Sequence, residues 1–477
     1  MSEFEYIYSI KEKILSGETT CLEVLNKKTD RINREQKRLN SFITLDLNRA
    51  RNRAKELDER IAAGEDPGPL TGVPVAVKDN MLFKGTRTTC ASKMLKNYHS
   101  PYTATAVKKL VEAGAVILGK TNMDEFAMGS SGETSFFGPT LNPADTQRIP
   151  GGSSSGSSAG VAGGQLVAAL GSDTGGSIRQ PAAMCGAVGL KPTYGLVSRY
   201  GLVAFSSSLD QIGPVTSSVT DAGIVLNAIA GYDKRDSTSL ERDIPDYTKN
   251  IDDGVKDFSI GIPKEYMGEG LDPLIRKRVE HTARKLKDRG ATIKRVSLPL
   301  TEYGVAIYYI IGPSEASANL ARFDGVKYGY RGSKSDRLIS EYINTRSEGF
   351  GSEVKRRIML GTYALSSGYY EDYYLKAQKV RTLIKEDFKR VFEGVDFLLA
   401  PTTPSTAFKL KEKEDDPLQM YLSDVYTISC NLAGIPGISV PSGLDDKGLP
   451  VGVQLMGPPF SEKNMLRTAR QMEKFYE

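Results

Sequence analysis

Between Gly151 and Ser177 the chain packs 9 glycines and 7 serines into 27 residues, GGSSSGSSAGVAGGQLVAALGSDTGGS. Such enrichment reads first as a flexible linker. The second half argues otherwise, because Val161 and the run Leu166-Val167-Ala168-Ala169-Leu170 are apolar residues that a solvated linker does not need. A short helix after Ser154, a buried strand through Leu166 to Leu170 and a tight turn at Thr174-Gly175-Gly176 account for the pattern. A phosphate loop is excluded, since the block holds no lysine, and no GxGxxG occurs. Gly152-Ser153-Ser154-Ser155-Gly156 matches the GxSxG nucleophile elbow, which needs a histidine downstream.

Histidine is scarce: the chain has His99 and His281. His281 sits on a helix whose apolar positions Ile275, Val279, Ala283 and Leu286 face elsewhere, and His99 lies in a polar loop beside Ser100-Pro101. Both read as solvated residues, which makes the elbow match an accident of a serine-rich stretch. A serine nucleophile must then find another base. Ser177 follows Gly175 and Gly176, which let the backbone approach a reacting carbonyl, and the N–H groups just before and at Ser177 can form an oxyanion hole. Lysine is the natural base, as in Ser-Lys enzymes. Lys78 ends the apolar run Val73-Pro74-Val75-Ala76-Val77, where desolvation disfavours the charged form. Lowering a lysine from ~10.4 to ~8 makes roughly a tenth of it neutral at pH 7, at ~3 kcal/mol of charge stabilisation.

The elements that must position these residues alternate along the chain. Glu18-Thr19-Thr20 can cap a helix carrying Leu22, Leu25 and Ile32, and the first ~60 residues read as helices ending near Ala63-Gly64. Helices are expected over Thr103 to Glu112, Thr220 to Ala230, Pro273 to Lys287 and between Glu353 and Arg390. Strands are expected at Val73 to Val77, Ala115 to Leu118, Ser259 to Ile262, Phe397 to Ala400 and Val451 to Leu455. This alternation indicates an α/β sheet covered on both faces. The polar stretches Asp233 to Lys256 and Lys409 to Pro417 read as surface connections.

Hydrophobic residues at 39 % and charged residues at 25 % are ordinary for a soluble globular chain, and a net charge of +5 over 477 residues is too weak to argue for a nucleic-acid surface. Cys21, Cys90, Cys185 and Cys430 form no CxxC pair, which suggests neither zinc nor a disulfide framework. No apolar run approaches the ~18 residues of a membrane span. Met1 to Glu5 is acidic where a signal peptide would be basic, so a cytoplasmic location is expected.

From Gly151 to Lys191 the sequence resembles the amidase signature family, whose members hydrolyse amides with a Ser-Ser-Lys triad. The resemblance implies that Lys78, Ser153 and Ser177 are the triad, with a cis peptide at the middle serine and the oxyanion held by backbone N–H groups of Thr174, Gly175 and Gly176 with Ser177. It implies the fold of that family, a large twisted mixed β-sheet with helices on both faces. The whole chain, 1–477, is then one amidase domain. Its N-terminal helices are 1–65, residues 66–230 form a core holding Lys78 and the Gly/Ser block, and 231–477 supply the rest of the core and the substrate pocket.

Within the family, Gly119 to Ser130, Ser198 to Phe205, Ser208 to Pro214, Tyr308 to Ile311, Val354 to Gly361 and Tyr421 to Thr427 are similar to the glutaminase subunits of tRNA-dependent amidotransferases. That resemblance implies L-glutamine as substrate, with Arg357 clamping the α-carboxylate, Asp424 pairing with the α-ammonium and Tyr308 walling the pocket near the amide. It implies no metal and no cofactor in this chain. ATP and Mg²⁺ are used by a partner, the amidotransferase B-subunit, on Glu-tRNA(Gln) or Asp-tRNA(Asn). A small C-subunit completes a heterotrimer, and no membrane is involved. Ser155 and Leu196 depart from the pattern, standing where many members carry glycine and arginine. A stand-alone amidase is the rival within the enzymes. A non-catalytic scaffold would need a broken triad, whereas Lys78, Ser153 and Ser177 are all present.

Overall fold

Val75-Ala76-Val77 has no polar side chain, and a strand with that composition needs both faces covered. The computed structural model describes residues 6–333 and 337–476 and places this run in a fully buried strand, Pro74–Lys78. Residues 1–5, the acidic N-terminal run, lie outside the described residues.

Among the described residues eleven strands form one sheet: β1 (Phe42–Leu45), β2 (Pro74–Lys78), β3 (Val116–Thr121), β4 (Ala168–Asp173), β5 (Val188–Lys191), β6 (Gln211–Thr216), β7 (Ser259–Pro263), β8 (Thr292–Val296), β9 (Phe397–Pro401), β10 (Gly437–Leu444) and β11 (Pro450–Met456). Their order is β1-β3-β2-β4-β6-β5-β10-β11-β9-β7-β8. β2 runs parallel to both β3 and β4, and β7 parallel to β8 and β9, while the remaining pairs are antiparallel. The sheet is therefore mixed, and β2 to β6 are buried along their whole length, as helices on both faces require.

Local signals explain most element ends. Thr20 accepts from the Glu23 N–H at 3.1 Å while Glu23 Oε2 accepts from the Thr20 N–H at 2.9 Å, a capping box that starts the helix Cys21–Leu39. The helix expected from Thr103 begins at Thr105, because the Thr103 hydroxyl accepts from the Lys84 N–H instead of capping. The strand expected from Leu166 begins at Ala168, since the Gln165 and Leu166 amides both bond back to the Gly160 carbonyl. Between Glu353 and Arg390 the helix breaks after Ala364, where Gly368 takes φ +86°, and resumes through a π-turn at Tyr370–Leu375.

Contrary to expectation, the first 65 residues are not all helical, for β1 interrupts them. Asn40 in the left-handed region ends the preceding helix, and Phe42–Leu45 pairs antiparallel with β3. No helix among the described residues is long and apolar enough to cross a membrane.

Candidate active site

β2 ends at Lys78, and its parallel neighbour β4 ends just before the glycine turn, so both loops leave the same edge of the sheet. In mixed and parallel sheets that edge is where ligands collect. Lys78 is completely buried. Its Nζ lies 2.7 Å from Ser153 Oγ, 3.0 Å from Ser154 Oγ and 3.2 Å from the Ser172 carbonyl. Burial pulls its pKa down to about 7 against the opposing pull of the Asp124, Asp173 and Asp210 carboxylates.

The Gly152–Ser153 peptide is cis. Around it, Gly152 N–H donates to Gln180 Oε1 at 2.9 Å and Ser153 C=O accepts from the Asp124 N–H at 3.2 Å. Ser154 N–H donates to the Ser177 carbonyl at 3.0 Å, which joins the two ends of the Gly/Ser block. The Ser177 hydroxyl has no hydrogen-bond partner among the described residues. Of Lys78, Ser153 and Ser177, it alone retains measurable exposure, at 8 %. Catalytic hydrogen bonds are often loose before substrate arrives.

The loop after β4 is held from beneath. Asp173 accepts from the Gly176 N–H at 2.8 Å and the Ile178 N–H at 3.2 Å. It also pairs with Arg179 through Nε at 3.1 Å, both side chains being fully buried. Burial pushes the Asp173 carboxyl up, yet the Arg179 guanidinium outweighs it and holds the pKa at about 2. Gly176 is a correction to the expected oxyanion hole, since its amide is spent on Asp173. The amides of Thr174, Gly175 and Ser177 have no acceptor among the described residues. Both glycines are sterically required. A Cβ on Gly175 would lie 2.7 Å from the Tyr308 ring, and one on Gly176, at φ +137°, would collide with Thr427 Oγ1. Arg179→Met is expected to destabilise the fold by about 3–5 kcal/mol, because it leaves the Asp173 charge buried and unpaired. Denaturant unfolding would measure this, and a loss under ~1 kcal/mol would contradict the account.

The three residues expected in the substrate pocket come from the second half of the chain. Tyr308, on the helix Gly304–Asn319, packs its ring on Gly175. Arg357, on the helix Ser352–Ala364, is buried with Nε donating to Glu353 Oε1 at 2.8 Å, and its guanidinium lies 5.2 Å from the Tyr309 ring centroid. Its terminal nitrogens donate to no described residue. Asp424 accepts the Ser130 hydroxyl on Oδ2, while its Oδ1 is buried without a partner among the described residues. Burial raises its pKa to about 7 against the Ser130 hydroxyl and Arg357.

A cavity of about 370 Å³ opens beside these groups, lined by Ser130, Ser131, Arg357 and Tyr421, with Glu125 and Glu353. Leu410, Lys411, Lys413 and Pro417 line it too, so the stretch Lys409 to Pro417 is a cavity wall as well as a surface connection.

The elbow reading fails as expected. Ser154 bonds to Lys78 and Ser172, His281 faces Tyr476 with ring centroids 6.2 Å apart, and His99 is exposed. Ser155 donates to Thr140 Oγ1 at 3.2 Å within the core, and Leu196 is buried apolar packing. Sequence reasoning missed Ser130, Asp124, Gln180 and Thr427, which act by bonding to backbone or to other side chains. All four lie in segments carrying the family resemblance, but that resemblance assigned none of them a role.

The profile of the Amidase family matches residues 23–466. The chain is 58 % identical over 465 residues to the A-subunit of the glutamyl-tRNA(Gln) amidotransferase of Carboxydothermus hydrogenoformans, covering 98 % of this chain and 96 % of the relative. It is 56 % identical over 467 residues to that of Heliobacterium modesticaldum, with the same coverage. Among solved structures, the glutamyl-tRNA(Gln) amidotransferase A-subunit of Thermotoga maritima superposes with a TM-score of 0.82 at 45 % identity, over 98 % of this chain and 94 % of that one. The native peptide amidase of Stenotrophomonas maltophilia gives 0.85 at 32 %, over 99 % and 97 %. With a lysine and two serines of the Gly/Ser block gathered at one sheet edge and matches that run nearly end to end, the chain belongs to the amidase signature family.

Proposed function

We propose that this chain is the glutaminase subunit of a tRNA-dependent amidotransferase, hydrolysing L-glutamine on Ser177, Ser153 and Lys78. One observation carries the reading: the buried Lys78 amine touches Ser153 Oγ at 2.7 Å, while Arg357 lines a cavity with its terminal nitrogens unengaged and Asp424, bonded to the cavity-lining Ser130, keeps an unpartnered oxygen. The names of the relatives at 55–58 % identity support it.

A neutral lysine has two N–H bonds and one lone pair. Ser154 Oγ and the Ser172 carbonyl take the N–H bonds, which leaves the lone pair for the Ser153 proton. Ser153 in turn accepts the proton of Ser177 as its oxygen attacks the side-chain amide carbon of glutamine. The amides of Thr174, Gly175 and Ser177 hold the oxyanion, each donor being worth ~3 kcal/mol. The proton returns through Ser153 to the leaving ammonia, and water then hydrolyses the glutamyl ester. Arg357 offers two parallel N–H bonds to the α-carboxylate, Asp424 Oδ1 takes the α-ammonium, and Tyr308 closes the wall over Gly175. In this proposal ammonia passes to the B-subunit, which uses ATP and Mg²⁺ on Glu-tRNA(Gln) or Asp-tRNA(Asn), with the C-subunit completing the cytoplasmic heterotrimer.

The test is ammonia release by the chain purified with whatever copurifies, on L-glutamine and on acetamide. Arg357→Leu is expected to lower kcat/KM for glutamine by about 10³-fold, the loss of two charge-assisted hydrogen bonds, and to leave acetamide within about threefold. Equal losses on both substrates, or none on glutamine, would leave a stand-alone amidase acting on other small amides.

A further inference from the structure

Neighbouring residues hold the two ends of the Gly/Ser block. Arg179 clamps Asp173 under the nucleophile loop, and Gln180, fully buried, reaches the other way. Gln180 Oε1 accepts from the Gly152 N–H at 2.9 Å, next to the Gly152–Ser153 peptide. Its Nε2 donates to the Ser130 carbonyl at 2.7 Å. Both partners fix the orientation of the amide, since one is a donor and the other an acceptor. Ser130 passes the connection on, because its hydroxyl donates to Asp424 Oδ2. The other oxygen of that carboxylate, Oδ1, is the buried acceptor without a partner.

Hydrogen bonds and covalent links thus alternate along one buried connection: Ser130 joins its hydroxyl on Asp424 to its own carbonyl on Gln180, and the Gly152–Ser153 peptide joins the Gln180 contact to the serine that touches Lys78. Close packing leaves such a connection few independent ways to move, so a displacement at one end is carried to the other. We propose that Gln180 is a positioning residue that couples occupancy of the Asp424 carboxylate by a substrate ammonium group to the placement of Ser153 against Lys78. The inference rests on the assignment of Asp424 to the α-ammonium given above. An amide substrate that carries the ammonium is turned over faster than one of the same length without it, and Gln180 transmits the difference.

The experiment compares kcat and KM for L-glutamine and for glutaramate, which is glutamine without its α-amino group. Gln180→Glu keeps the acceptor for the Gly152 N–H and removes the donor to Ser130. Gln180→Met removes both. Measuring two substrates on one protein cancels any partial loss of folded enzyme. In the parent chain kcat for glutamine is expected to exceed that for glutaramate by roughly tenfold, a typical coupling between linked sites. In Gln180→Glu the ratio falls to about one by loss on glutamine alone, whereas Gln180→Met lowers kcat on both substrates by about tenfold. Ser130→Ala, which breaks the same chain at its hydroxyl, gives the same collapse of the ratio and serves if Gln180→Glu does not fold.

An unchanged ratio in Gln180→Glu, or equal losses on both substrates in that variant, overturns the inference. If Asp424→Asn abolishes the preference for glutamine while Gln180→Glu retains it, the ammonium site stands and the coupling alone is wrong. If the parent chain treats both substrates alike, the ammonium site fails and the coupling with it.

Discussion

Replacing Ser177 with alanine is expected to lower glutamine-dependent ammonia release by about 10⁵-fold or more, to the level that binding and the backbone amides supply alone. The hydroxyl that is lost has no hydrogen-bond partner among the described residues, so its removal leaves no orphaned group behind. Stability is therefore expected to stay within about 0.5 kcal/mol of the parent. A coupled assay of ammonia, with unfolding by heat as the control, separates the two quantities. Activity above about one per cent of the parent in a fully folded variant would contradict covalent catalysis by Ser177. The step would then have to be a direct attack by water.

Lys78→Met is expected to combine a loss of about 10⁴-fold in kcat with a gain in stability. The signs follow from one shift. Folding brings the Lys78 pKa from its ordinary 10.5 down to about 7, because burial disfavours the charged form. Between those values the unfolded chain binds the extra proton and the folded chain does not, so stability rises with pH across the window from about 7 to 10. At neutral pH the buried amine costs about 4 kcal/mol, which methionine does not. Part of that gain is offset by the contacts to Ser153, Ser154 and Ser172 that methionine cannot make. In the parent, kcat/KM is expected to rise with pH through about 7 as the amine becomes neutral. A profile flat from pH 6 to 9, or a less stable Lys78→Met, would count against lysine as the base.

How much of this was readable beforehand depends on the kind of signal each residue carries. Lys78 and Ser177 were legible from type and setting alone, one after an apolar run and the other after two glycines that exclude a side chain. Ser153, Tyr308, Arg357 and Asp424 came only with the family resemblance. Their contacts span much of the chain, and spacing along a sequence says nothing about which loops a sheet brings together. Gln180 and Thr427 lie in segments carrying the resemblance but drew no role from it, being common polar residues whose work is to bond backbone carbonyls and amides. The engaged amide of Gly176 had a weak one. Asp173 stands three residues earlier, and a short acidic side chain at that spacing commonly turns back to a local N–H. In the fold, β2, β3, β4, β7, β9 and β11 were legible as short apolar runs, whereas β1, β5, β6, β8 and β10 were not, their apolar residues being interrupted by glycine, proline or polar side chains or, in β8, largely exposed.

The order of the sheet has a consequence for how the molecule is made. β10 and β11, the last strands in the sequence, sit between β5 and β9 and join the strands of residues 42–216 to those of residues 259–401. Until that final hairpin leaves the ribosome, the nascent protein carries two half-sheets with raw edges of unpaired backbone, open to pairing with another chain. The same hairpin supplies Gln454, whose Oε1 accepts from Arg179 Nη1 at 3.0 Å beneath the loop that carries Ser177. A messenger cut short just before β10 would thus leave those edges open and remove one of the contacts that hold Arg179 against Asp173.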